Sequence, residues 1–167
     1  MKLTIEHIIP YELSLVEDVI LDHYTWNSVA KYMPSLKEVK VIYREEVERK
    51  VCLRKWFVPD ITIPWFAKSK VKQEMVEWGE ILTWCPQNHS GDFLIEPNIP
   101  REWLNHFRCE GKYTLESLGE NKTRRFVHID LQVKIPLIGG MAEGYIADRV
   151  KEWYAGEANA LTVFAAK

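Results

Sequence analysis

The pattern of apolar residues predicts an α+β fold: a curved antiparallel sheet of about seven strands wrapped on a long C-terminal helix, in the order β-α-α-β6-α. Three observations predict it. Leu3, Ile5, His7 and Ile9 share one phase of a period-two pattern, which reads as a strand. Between Leu36 and Val133 six further strand-like stretches follow one another through short turns, so neighbours run antiparallel. Ile146, Val150, Trp153, Glu157, Leu161 and Phe164 then recur at spacings of 4, 3, 4, 4 and 3, one face of a single long helix.

Element by element, the first strand covers residues 2–9 and stops at Pro10. Ser14-Leu-Val-Glu17 has capping-box spacing and opens a short helix to about His23. Thr25 caps a second short helix, closed before Pro34 because that ring disfavours helical backbone at Met33. Val39, Val41 and Tyr43 alternate with Lys40, Ile42 and Arg44, and the charged run 44–50 holds a turn without Gly or Pro. Val51, Leu53 and Phe57 mark a strand that ends at Pro59, and residues 59–66 form an apolar loop. Val71 to Trp84 reads as one long strand with a bulge at Gly79, followed by a turn over 86–91 and a short strand from Asp92 to Glu96. Phe107, Cys109, Tyr113 and Leu115, and after a turn Val127, Ile129, Leu131 and Val133, give the clearest hairpin. Gly144 and Gly156 lower the propensity of the last helix, which must lean on packing.

The chain has 167 residues, 47% apolar and 28% charged, and reads as a single domain over 1–167. Twenty-two basic against 24 acidic residues give a net charge of −2, which excludes a strongly basic nucleic-acid binder. Met1 to His7 has no signal-peptide character, and no stretch reaches the ~18 apolar residues of a membrane span. Cys52, Cys85 and Cys109 are odd in number and lack a CxxC pair, so they read as reduced thiols of a cytoplasmic protein. Cys85, His89, His106 and Cys109 offer zinc-type donors, but His106 and Cys109 have opposite strand parity, and no metal is expected. Neither a phosphate-binding glycine loop nor a Gly-x-Ser-x-Gly turn is present, so no cofactor and no catalytic motif is expected.

The element order, together with Val133-Lys-Ile-Pro-Leu-Ile-Gly-Gly140 leading into the last helix, resembles the START-like, or SRPBCC, superfamily with its helix-grip fold, and a bacterial branch of it in particular. The resemblance covers essentially the whole chain. It implies binding of a lipid, polyketide or other apolar or amphipathic small molecule in a cavity between sheet and helix, for transport or sequestration. A minority of such proteins catalyse cyclisation or hydrolysis, so an enzyme using a cavity His or Glu as general acid or base stays open.

The inward phases nominate His7, Tyr43, Phe57, Met75 and Phe93 as ligand-binding residues, with Tyr113, Ile129, Trp153 and Glu157. The same rings would equally fill a solid core. Glu157 in an apolar stripe needs a partner or a wet cavity, and His7 on the neighbouring strand is a candidate; the alternative has Glu157 reaching solvent and His7 bonding a backbone carbonyl. The mixed charges from Arg44 to Lys55 read as a solvated sheet face. Ile61 to Phe66 is a lid, a membrane-touching tip, or the dimer or partner contact of a protein-interaction module, unless it folds back on the core. The oligomeric state is left open.

Overall fold

A computed structural model describes residues 1–136 and 138–167; Leu137, within the segment that carries the family resemblance, lies outside the described residues. Seven strands, β1 (Lys2–Ile9), β2 (Leu36–Val47), β3 (Lys50–Pro59), β4 (Trp78–Cys85), β5 (Ser90–Pro97), β6 (Phe107–Ser117) and β7 (Thr123–Val133), form one antiparallel sheet. Its order is β1-β7-β6-β5-β4-β3-β2. The short helices α1 (Leu13–Leu21) and α2 (His23–Ser28) carry the chain from one sheet edge to the other, and α3 (Gly139–Ala165) packs chiefly against β1, β7 and α1. This is the helix-grip α+β architecture.

The sheet curls because its register is interrupted. β2 shifts between Leu36 and Glu38 and again between Val41 and Tyr43. In β6, a Cβ on Gly111 would sit on the His128 carbonyl oxygen and 2.6 Å from the Phe93 ring, so only glycine permits this close approach. Inward positions of the central strands are buried: Leu53, Lys55 and Phe57 on β3, Glu80, Leu82 and Trp84 on β4, and Arg125, Val127 and Ile129 on β7.

The long helix presents two different edges to the sheet. Ala142, Ala147, Ala158, Leu161 and Ala165 are buried, and the small alanine side chains let the backbone approach. Ile146, Val150 and Trp153 are only half-buried. Part of the periodic stripe thus stays partly exposed, while the buried edge is rich in alanines.

Several local expectations are corrected. The second shift in β2 inserts one residue and reverses the phase, so Tyr43 pairs with the outward Arg54 and is 37% exposed. The strand expected from Val71 begins only at Trp78; Gln73–Val76 is a 3-10 turn that carries Met75. Gly79 is opposite Trp56 in unbroken register, with no bulge. The capping box at Ser14 does not form: α1 starts at Leu13, and the Glu17 carboxylate instead accepts from Trp84 Nε1 at 2.7 Å and meets His89 Nδ1 at 3.1 Å. Asp22, not Thr25, caps α2, accepting from the Thr25 backbone N–H and hydroxyl at 3.1 Å each.

Candidate binding seam between sheet and helix

The seam between the sheet and α3 holds two ion pairs where apolar walls with one or two polar groups, His7 and Glu157, were expected. Lys55 Nζ lies 2.9 Å from Glu80 Oε1, and Arg125 Nη1 donates to Glu157 Oε1 at 2.7 Å. All four side chains are buried, Arg125 completely. Arg125 Nη2 donates to the Tyr154 carbonyl at 2.9 Å and lies 3.4 Å from His7 Nδ1. The Tyr113 hydroxyl donates to Glu80 Oε2 at 3.1 Å and lies 3.0 Å from the Tyr154 hydroxyl. Lys55 also sits 3.5 Å above the Trp26 ring, a buried cation–π contact. Buried ion pairs must be satisfied on every atom to persist. Here Arg125 Nε is a buried donor with no acceptor among the described residues.

The electrostatics of the cluster follow from burial. Tyr113 and Tyr154 are held well above the ordinary phenol pKa, first by burial and then by the Glu80 charge, so both stay protonated donors. Burial pushes the Glu157 carboxyl up, against the pull of Arg125 and Lys55. Burial, then the Arg125 charge, lowers the His7 imidazole. Cys109, on the inward phase of β6, has its thiol pushed up to about 12 by burial and then by Glu80. Two cations face two carboxylates, so the cluster is balanced without any bound ion.

Next to the polar cluster lies an aromatic wall. Phe57 stacks on Trp78 with centroids 5.2 Å apart, and Trp153 of α3 meets both rings edge-on at 5.3 and 4.9 Å. Trp78, Ile95 and Phe107 from the sheet and Ile146, Val150 and Trp153 from the helix are half-buried, forming an apolar rim where β3–β4, β5–β6 and β7–α3 connect.

The nominated residues are placed as follows. His7 and Glu157 both turn inward but do not touch; Arg125 stands between them. Phe57, Phe93, Tyr113 and Ile129 are buried in the core, and Trp153 is on the rim. Tyr43 is on the outer face, its hydroxyl beside Cys52, and Met75 lies on the connection outside the sheet, its sulfur accepting from the Lys72 backbone N–H at 3.5 Å. Lys55, Glu80, Arg125 and Tyr154 were not nominated. Strand phase alone marks three of them: Lys55 shares its phase with Leu53 and Phe57, Glu80 with Trp78 and Leu82, and Arg125 with Val127. Lys55 overturns the reading of its charged stretch as wholly solvated. The outer face of the sheet carries a trough of about 790 Å³, edged by Thr4, His128, Lys112 and Asp92. The three cysteines are free, and no described helix is long and apolar enough to cross a membrane.

The family described as "Protein of unknown function (DUF2505)" matches residues 4–164. No curated protein matches the chain. Among solved structures, TTHA0849 from Thermus thermophilus is 20% identical with a TM-score of 0.71, covering 99% of this chain and 97% of that one. The Zhui aromatase/cyclase from Streptomyces sp. R1128 is 15% identical with a TM-score of 0.67, covering 99% and 94%. A START superfamily protein from Mycobacterium smegmatis is 13% identical with a TM-score of 0.58, covering 96% of each chain. At these identities the likeness is one of fold, and that fold is START-like.

Proposed function

The chain belongs to the DUF2505 family, and we propose that it binds an uncharged amphipathic small molecule, of lipid or polyketide type, in the seam between the sheet and α3. The observation that carries this reading is the juxtaposition of the half-buried Trp78 and Trp153, packed on the buried Phe57 ring, with the buried polar cluster around Tyr113 and Tyr154. Apolar walls with a few placed polar groups are the usual form of a small-molecule site. The rim supplies area for an apolar body. The tyrosines supply hydroxyls for a carbonyl or hydroxyl group on it. Because Lys55–Glu80 and Arg125–Glu157 already balance, a ligand carboxylate would add an unpaired buried charge, which argues for a neutral polar end.

Titration with N-phenylnaphthylamine tests the reading. Saturable fluorescence enhancement is expected, displaced by naphthol but not by naphthoate and weakened about tenfold by Trp153→Ala through lost ring contacts. Absence of saturable binding, or identical affinity in the variant, would contradict it.

A second reading, acid–base conversion of the bound molecule, is supported by the Tyr113–Tyr154 hydroxyl pair beside Glu80, since a protonated phenol in a dry site can polarise a carbonyl as an enol forms. The Streptomyces neighbour is an aromatase/cyclase, which puts ring-forming chemistry within the compass of the fold. Tyr154→Phe would then abolish turnover of a cyclisable polyketone while retaining its binding.

A further inference from the structure

We propose that residues 61–72 dock the protein on an anionic lipid surface. The connection between β3 and β4 divides into two chemistries. Ile61, Ile63, Pro64, Trp65 and Phe66 come first, and Lys68, Lys70 and Lys72 follow, with no acidic residue from Ile61 to Gln73. Trp65 is 80% exposed, a large ring left in solvent although Phe66, its neighbour, packs on the core and meets Tyr145 of α3 edge-on at 6.1 Å. All three lysines are exposed, and no described ion pair engages them.

Neighbouring segments extend the same end of the molecule. Asn98 ties the 98–106 connection to the Glu74 and Glu77 carbonyls, and the Lys134 backbone N–H donates to the His106 carbonyl at 2.7 Å. That end also exposes Leu104, Met141, Arg101 and Lys134, with Asp60, Glu74 and Glu102 among its acids. An exposed tryptophan beside a short basic run, on a chain whose net charge is −2, matches an interface with acyl chains below and anionic headgroups above. A protein partner would need a flatter, larger apolar patch than one ring and its edges. The occupant is therefore a lipid surface, and docking there would set the apolar rim of the seam against the membrane.

Co-sedimentation of the full chain with vesicles tests this, using phosphatidylcholine alone and phosphatidylcholine mixed with phosphatidylglycerol. Binding is expected only to the mixed vesicles, falling with added salt, with a blue shift of tryptophan emission that Trp65→Ser removes. Exchanging Lys68, Lys70 and Lys72 for Glu should weaken binding at least ~100-fold, since each lysine near such a surface contributes about tenfold or less and the reversal adds repulsion. These surface variants should leave naphthylamine binding intact, so this proposal and the ligand proposal fail separately. Equal binding to both vesicle types, no binding to either, or a change of oligomeric state in Trp65→Ser without vesicle binding would overturn it.

Discussion

Arg125 is the residue on which the interior turns. It is fully buried, donates to Glu157 and to the Tyr154 carbonyl, and keeps one N–H, on Nε, with no acceptor among the described residues. Removing it leaves Glu157 buried and unpaired. Arg125→Met is expected to cost about 3–5 kcal/mol in urea unfolding, and Arg125→Met with Glu157→Leu to recover most of that loss. A single variant as stable as the parent would show that the pair is not sealed from water. The second residue-scale expectation concerns alkaline pH. Cys109 has its ordinary pKa of 9.0 raised to about 12, and Tyr113 and Tyr154 are raised well above 10.0. The unfolded chain therefore gives up these protons first. Their contribution to stability is complete below pH 9 and is lost as the pH rises toward 12 and beyond. The urea midpoint should fall across that window, and Cys109→Ala should flatten the start of the fall. A flat profile would mean that water reaches the seam. The strand phases contained Lys55, Glu80 and Arg125, but a charge in an alternating stretch is ordinarily assigned to solvent. What identifies them as inward is the company of Leu53, Leu82 and Val127, a signal that Glu157 between Trp153 and Leu161 carried more openly.

At the scale of elements, the long periodic pieces were legible because their period is set by geometry: β1, the β6–β7 hairpin and α3 lie where the patterns placed them. The misses are irregularities with no period. An extra residue in β2 turned Tyr43 outward, and the apolar phase at Val71 and Met75 belongs to a connection, not to β4. Nothing local in Val41-Ile42-Tyr43 announces a bulge. The turn expected within 44–50 carries neither Gly nor Pro, and it shows the consequence. Glu48 and Arg49 both adopt positive φ, 52° and 65°, in a two-residue turn between Val47 and Lys50. Asn-Gly suits that geometry far better. Glu48→Asn with Arg49→Gly is expected to stabilise the protein by about 1 kcal/mol in urea unfolding, with no effect on probe binding. A destabilised double variant would mean that the turn residues hold contacts beyond their backbone.

For the whole molecule, the layers decide what the protein can do. The sheet and α3 meet tightly along the alanine edge and leave the larger Ile146, Val150 and Trp153 half-buried on the other. Between them lies a balanced set of charges and two protonated tyrosines, more polar than the apolar walls with His7 and Glu157 that the sequence suggested. The family resemblance implied a cavity between sheet and helix, and inward apolar phases alone do not distinguish a hollow from a filled core. The most direct measurement is native mass spectrometry of the protein purified without detergent from its own cells, or after incubation with their organic extract. The expected result is one small uncharged molecule carried by the folded chain, released on unfolding and reduced in Trp153→Ala. A bare chain under both conditions, or an adduct that survives that substitution unchanged, would contradict it.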